Sequence, residues 1–373
     1  MAKIAKPFAE TVDRNTPALA LSGGGFRATL YHCGAFMRLN ELGFLTKFSR
    51  ISSVSGGAIA GGMLAAAWPR LTMKKDVITN LDKEVIRPLR EFCRRSVDTA
   101  AVGWGAILPG KSIGDVLTET YDDLFKGVTL QDLPDSPQFI FNATNLQTGR
   151  VVRLQKVRLA DYTLGEIAKP NVRLAVAVAA SSAFPPVLSP VLVTVDPKSW
   201  VKRPGAIHYG DPAYNRTLSL TDGGTYDNLG LETVDDFNPV VVSDAGAPFG
   251  MEETASALWP KQAMRALDIA TDQARALRKR YLFAQCIAEG RVPVYSGIDG
   301  NPDTYPAQQL IKVAPATIRR LARLRTRLAP FSEEEQSRLI NWGWLMTDVA
   351  MRSYVANAVP PPSALPIPAY PLV

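Results

Sequence analysis

Residues 19–62, LALSGGGFRATLYHCGAFMRLNELGFLTKFSRISSVSGGAIAGG, constrain the fold of this chain more than any other stretch. They hold two glycine-rich turns, Ser22-Gly23-Gly24-Gly25-Phe26-Arg27 and Ser53-Val54-Ser55-Gly56-Gly57. Residues 17–21 form a short apolar run stopped by Ser22-Gly23, which suits a buried strand. From Phe26 to Leu42, apolar and small residues recur at helical spacing, and Gly43 is placed to cap the end. Residues 48–54 read as the next strand. Residues 58–68 read as a helix of small side chains, ended by Pro69. Strand, glycine turn and helix, given twice, make a βαβα opening. Right-handed crossovers of that kind build a mostly parallel sheet covered by helices on both faces, an α/β/α sandwich.

The two turns also carry chemistry. A triple-glycine turn opening a helix leaves backbone N–H groups without intrahelical acceptors, all aimed at one spot, and so makes an anion site. A serine on a tight strand-to-helix turn flanked by small residues has the geometry of a nucleophile elbow. Together they describe an acyl-transfer site. Ser55 is the nucleophile, and Gly23, Gly24, Gly25 and Gly56 supply oxyanion donors. Ser53 replaces the near glycine of Gly-x-Ser-x-Gly, so a merely polar turn of Ser52, Ser53 and Ser55 is the plain rival. A dinucleotide-binding turn is the other. Against it, Ala28 stands where the last small residue of G-x-G-x-x-G would be, and no acidic residue closes a following strand at the right place.

The serine needs a base. The chain has two histidines. His32 lies mid-helix, about two turns past the glycines, where a packing role is the plain reading. His208 lies in a polar loop before Asp222, with nothing beside it that marks it as catalytic. Leu220-Thr221-Asp222-Gly223-Gly224 ends a short strand in a turn, and an aspartate sheltered from water gains basicity. Taken alone, Asp-Gly-Gly is a β-turn.

Composition narrows the remaining classes. Cys33, Cys93 and Cys286 are widely spaced and odd in number, which argues against a disulfide framework and for a reducing compartment. No cofactor or metal site is expected. The first residues lack the apolar core of a signal peptide, and the longest apolar run is too short to span a bilayer. The net charge of +7 suits an anionic surface, and no nucleic-acid motif accompanies it.

The rest of the chain divides by composition. Residues 1–259 read as the α/β core, 260–359 as a helical part packed on it, and 360–373 as a proline-rich tail, extended and loosely held. Within the core, 138–144 and 151–154 read as a hairpin, 172–180 as a helix of small residues, and 218–221 and 239–243 as strands. Residues 102–110 form an apolar stretch that suits a lid, a channel wall or ordinary packing. Residues 317–328 form a basic amphipathic helix carrying Arg319, Arg320, Arg323, Arg325 and Arg327, and 332–356 a final helix.

The pairing of GGGFRA with SVSGG about thirty residues later, followed by DGG, resembles the patatin-like phospholipase family, and the SGGGFRA wording leans toward its cytosolic phospholipase A2 branch. Asn142 to Gly149, Ala179-Ala180-Ser181-Ser182-Ala183-Phe184-Pro185-Pro186, and Val241 to Ala245 extend the likeness over roughly residues 18–246. The resemblance implies a Ser55–Asp222 dyad rather than a triad. It implies a lipid acyl hydrolase acting on phospholipid or other acyl esters, cytoplasmic and peripheral to the membrane, with the basic helix as a candidate contact. Arg27, present in the family, either steadies the oxyanion loop, attracts a lipid phosphate, or forms a structural ion pair near the helix start. Calcium is not implied, because too few residues precede the first strand for a calcium-binding targeting domain. The alternatives are an esterase or thioesterase on soluble acyl substrates, and a membrane-damaging effector silent until activated. Oligomeric state is left open.

Overall fold

The computed structural model describes residues 13–98, 112–246 and 248–372. Eleven strands form one mixed sheet. In chain order they are β1 (Ala18–Leu21), β2 (Arg50–Val54), β3 (Gln138–Asn145), β4 (Arg150–Gln155), β5 (Arg158–Asp161) and β6 (Gly165–Ala168). Then come β7 (Val191–Thr194), β8 (Trp200–Val201), β9 (Thr217–Asp222), β10 (Val240–Asp244) and β11 (Pro293–Gly297). The longer helices are α1 (Gly25–Glu41), α2 (Gly56–Ala67), α3 (Ile113–Phe125), α4 (Leu174–Ser182), α5 (Trp259–Glu289), α6 (Pro315–Ala322) and α7 (Glu333–Tyr354).

The centre of the sheet is parallel, in the order β3-β2-β1-β10-β11. Most of its residues are buried because both faces are covered. Alternation along β1 divides the interior in two. Leu19 and Leu21 enter the large core beneath α1, α2 and α7. Ala18 and Ala20 enter a smaller one with Val240, Val242, Phe237 and, from α5, Leu282 and Cys286. On the large side α1 and α7 touch backbone to backbone. A Cβ on Gly34 would lie 2.0 Å from the Ile340 carbonyl, and one on Gly343 would lie 1.9 Å from that of Tyr31. Only glycine permits both approaches.

An antiparallel wing, β4-β5-β6-β8, extends from β3. The β3–β4 hairpin matches the sequence reading. Strands β5 to β7 do not appear in that reading. The C-terminal region is helical as read, and it also contributes β11, which completes the parallel sheet beside β10. Two further expectations are corrected. The basic helix stops at Ala322 instead of reaching residue 328, and the carbonyls of Ala322 and Leu324 at its end accept from Arg27. The tail is held: Asn341 Nδ2 donates to the carbonyls of Ile367 and Tyr370, and Leu372 is buried. The apolar stretch 102–110 lies outside the described residues.

Candidate active site

The geometry of the site follows from how β3 is paired. Along one edge, β3 first pairs with β2, in parallel, as far as Val54 opposite Asn142. At the next residue the partner changes to β9, running antiparallel, with Asp222 opposite Ala143. Two strands therefore approach each other along one edge of a third and end at adjacent registers. The residue after one is Ser55, and the last residue of the other is Asp222. Residues 167 apart in sequence meet because a single strand serves as the ruler for both.

Ser55 sits at φ 52°, ψ −119°, in the positive-φ region that side chains other than those of glycine seldom adopt. The turn is held against that strain. The Ser55 N–H donates to Ser181 Oγ at 3.0 Å, and that hydroxyl donates to the Asn142 carbonyl at 2.6 Å. Asn142 Nδ2 in turn donates to Ser52 Oγ and to the Ser53 carbonyl. The three serines part company here. Ser52 Oγ donates to the Gly230 carbonyl at 2.7 Å and Ser53 Oγ to that of Ile140 at 3.1 Å. Of the three, the Ser55 side chain alone acts on the Asp222 carboxyl, whose pKa it lowers.

Asp222 is 2% exposed and Ser55 8%. Burial raises the Asp222 carboxyl from its ordinary 3.8 to about 6, against the opposing pull of hydrogen bonds from Ser55 and the Gly224 N–H, the latter at 2.7 Å. No arginine or lysine forms an ion pair with it among the described residues. Its backbone is pinned: the Asp222 N–H donates to the Ala183 carbonyl, the Gly223 N–H to that of Ser181, and Thr144 Oγ1 to that of Asp222.

The starts of α1 and α2 lie side by side. Gly24 and Gly25 have positive φ, 143° and 56°, and stand at the start of α1, where N–H groups have no intrahelical acceptor. Gly56 opens α2 and packs on Gly25, whose carbonyl would lie 2.1 Å from a Cβ there. Gly23 departs from the sequence reading. Its N–H already donates to the Asn228 carbonyl at 3.0 Å, so it is not a free oxyanion donor. What it supplies is space: a Cβ would lie 2.3 Å from Asn228 Oδ1 and 3.1 Å from Ser55 Cβ.

Arg27 is buried, and burial lowers its pKa to about 10. Nη1 donates to the carbonyls of Ala322 (2.7 Å) and Leu324 (2.9 Å), and Nη2 to that of Ala245 (2.7 Å). The geometry is that of a loop anchor, with no face left for a lipid phosphate. Neither histidine approaches Asp222. His32 is buried between Ser243 Oγ and the Ser22 carbonyl, each at 2.9 Å, and burial lowers its pKa to about 4. The carbonyl requires a proton on Nε2, so Nδ1 accepts from Ser243. His208 lies in its own loop beside Asp211 and Tyr214. Sequence reasoning placed Ser181 in a matching motif but gave it no part in the site. Nothing local marks a serine as the acceptor for an N–H that lies 126 residues away.

The described helices include none long and apolar enough to cross a membrane. A comparison with curated proteins finds no match. Among solved structures, human GIVD cytosolic phospholipase A2 aligns with a TM-score of 0.52 at 12% identity, over 91% of this chain and 59% of that one. The same human protein with methyl γ-linolenyl fluorophosphonate and terbium chloride aligns at 0.47 and 15%, over 90% and 58%. VipD from Legionella pneumophila aligns at 0.40 and 15%, over 92% and 68%. The chain thus spans about three fifths of the human chains it matches, and the 0.52 alignment supports a shared α/β/α fold. The family model described as patatin-like phospholipase matches residues 19–235, from β1 through both glycine turns and past Asp222. With that match covering more than half its length, the chain belongs to the patatin-like phospholipase family.

Proposed function

We propose that the chain hydrolyses fatty-acyl esters of membrane glycerolipids through a Ser55–Asp222 dyad. Membership of the family supports a lipid acyl hydrolase in general. The observation that carries the finer reading is a buried aspartate with its pKa raised to about 6, brought by the pairing of β3 next to a serine held at positive φ. A carboxylate of that basicity is a better general base than one at 3.8, and remains ionised at neutral pH.

Asp222 takes the proton from Ser55 Oγ as that oxygen attacks the ester carbonyl. The amides of Gly24, Gly25 and Gly56 receive the oxyanion. Removing one well-aimed donor of this kind costs roughly 10²–10³ in rate. Asp222 then gives its proton to the departing alkoxide, leaving an acyl-serine. Water attacks the acyl-serine with Asp222 again as base, and the fatty acid leaves. His32 takes no part, because burial keeps it neutral and both its nitrogens are engaged.

The test is fatty-acid release from mixed phospholipid vesicles by the wild-type chain, Ser55→Ala and Asp222→Ala, with circular dichroism checking the fold. Loss in both variants is expected, together with loss of fluorophosphonate labelling in Ser55→Ala. Release persisting in folded Ser55→Ala would overturn the dyad. Turnover of short soluble esters without any release from vesicles would replace the lipid substrate by a soluble acyl ester.

A further inference from the structure

Three glycines on three different loops make room for one side chain. Gly23 follows β1, Gly224 follows β9 and Gly246 follows β10. A Cβ on Gly23 would lie 2.3 Å from Asn228 Oδ1, one on Gly224 2.7 Å from the same oxygen, and one on Gly246 2.9 Å from Asn228 Nδ2. None of the three has a positive φ, so space rather than backbone conformation asks for glycine there. The Asn228 backbone is fixed on both sides. Its carbonyl accepts from the Gly23 N–H at 3.0 Å, and the Asp227 carboxylate accepts from the N–H groups of Leu229 (3.0 Å) and Leu231 (2.8 Å). Its side chain is half-buried, yet neither Oδ1 nor Nδ2 is hydrogen-bonded to any described residue. An amide hemmed in by three loops and bonded to none of them keeps its donor and acceptor for what enters the site.

Oδ1 lies on the side of the proposed dyad. The Cβ position at Gly23 is also 3.1 Å from Ser55 Cβ, and that at Gly224 is 3.0 Å from Asp222 Oδ1. Two acceptor oxygens, one from Asn228 and one from Asp222, therefore border the same space in front of Gly224, with Ser55 close by. Nδ2 lies on the other side, toward Gly246, whose Cβ position is 3.0 Å from Asp244 Oδ1 and 2.7 Å from Arg275 Nη1. Two acceptors facing one space select a ligand with two donors. An ester and its oxyanion offer acceptors only. Water offers two hydrogens and keeps a lone pair for attack.

We propose that Asn228 is a further catalytic residue, whose Oδ1 holds, together with Asp222 Oδ1, the water that hydrolyses the acyl-serine. The proposal rests on the Ser55–Asp222 reading and concerns its second half-reaction. The water donates one hydrogen bond to Asn228 and the other to Asp222. Its oxygen forms the bond to the acyl carbon as Asp222 takes the proton. The bond from that carbon to Ser55 Oγ then breaks, Oγ receives the proton from Asp222, and the fatty acid leaves with the remaining hydrogen. The first half-reaction does not use Asn228, because there the attacking oxygen is that of Ser55.

The test separates the two halves. Wild type, Asn228→Ala and Gly224→Ala are given a p-nitrophenyl acyl ester, whose good leaving group makes acylation fast, and are followed by rapid quench and intact-mass spectrometry. Asn228→Ala should release its first equivalent of p-nitrophenol at close to the wild-type rate and then turn over roughly 10²-fold more slowly, with acyl-Ser55 accumulating. Gly224→Ala puts a methyl into the water's space without removing Asn228, should show the same pattern, and carries the test alone if Asn228→Ala does not fold. Hydroxylamine, a strong nucleophile that needs no base, should discharge the accumulated acyl-enzyme as the hydroxamate. Slowness from the first turnover with no acyl-serine would make Asn228 a structural part of the oxyanion loop and overturn the proposal, as would unchanged turnover in both folded variants. Failure of fluorophosphonate to label Ser55 in the wild type would instead remove the dyad reading on which the proposal rests.

Discussion

Asp222 and Asp348 are both buried aspartates, and their surroundings are opposites. Asp348 on α7 lies between two arginines. Oδ1 accepts from Arg38 Nε (2.8 Å) and Nη2 (2.6 Å), and Oδ2 from Arg352 Nε (3.0 Å) and Nη2 (2.8 Å). Asp222 forms no ion pair among the described residues; it has one backbone amide and the Ser55 hydroxyl. A carboxylate clamped by two guanidiniums ties α1 to α7. A carboxylate given only neutral donors keeps its affinity for one. On the proposed dyad, a buried acid that works would be distinguished from one that holds by the charge of its neighbours, not by its depth.

The largest predicted effect tests the working half. Asp222→Asn keeps an acceptor for the Gly224 N–H but cannot take the serine proton, so release should fall by roughly 10²–10⁴ while the fold persists. Stopped assays on vesicles measure it. A loss below tenfold would place the base elsewhere. The converse experiment is Asp348→Ala. It leaves Arg38 with Glu41 as its only carboxylate and Arg352 with none among the described residues, and should cost about 3–5 kcal/mol in urea unfolding. Replacing Arg38, Asp348 and Arg352 together by Met, Leu and Met should recover much of that loss. If Asp348→Ala were harmless and Asp222→Asn strongly destabilising, the contrast between the two sites would be reversed.

The pH dependence sharpens the contrast. As the base, Asp222 must be ionised, so kcat/KM should rise with pH and level off above about 6. Stability should move the other way. The folded-state pKa lies above the unfolded value of 3.8, so between pH 4 and 6 the folded chain binds more protons. The stability tied to this group is fully present below about pH 4 and is lost as pH rises through 6. Asparagine imitates the protonated acid. Asp222→Asn should therefore be more stable than the wild type at pH 7, by up to roughly 3 kcal/mol, and equal to it below pH 4. Urea melts at the two pH values would show this, and an equal gain at both would assign it to packing.

The parallel core and the two turns were legible because their causes are local. An apolar run such as that of β1 needs only its own residues to mark it, and so does a glycine turn followed by a helical repeat. Strands β5 and β6 were not legible, because their polar residues are satisfied across the wing. Arg158 and Arg203 both reach Glu166, and none of the three reads as a strand residue by itself. Strand β11, Pro-Val-Tyr-Ser-Gly, is short and lacks an apolar run. Within the candidate site, the turns that carry Ser55 and Asp222 were marked by turn chemistry and family likeness. The engagement of the Gly23 N–H by Asn228, and the seating of Thr326 on Gly25, join residues 200 and more apart, and no local pattern records them.

A third buried polar group completes the scale. Asn341 on α7 is uncharged, and all its partners are neutral. Its amide donates to the carbonyls of Ile367 and Tyr370, and its Oδ1 accepts from the Ile367 N–H at 3.0 Å. No charge is stranded when it is removed, so Asn341→Ala should cost less than Asp348→Ala. The loss is that of hydrogen bonds whose backbone partners can turn to water once the tail lifts, about 1–2 kcal/mol. The effect should also be local. The segment around residues 367–370 should become cleavable by protease and lose amide protection, while α7 stays protected by its packing on α1. Activity should change little, since the tail touches none of the groups around Ser55. A loss as large as that of Asp348→Ala would mean that the tail stabilises the core itself, and that depth, rather than the charge left behind, sets the cost of removing a buried polar group here.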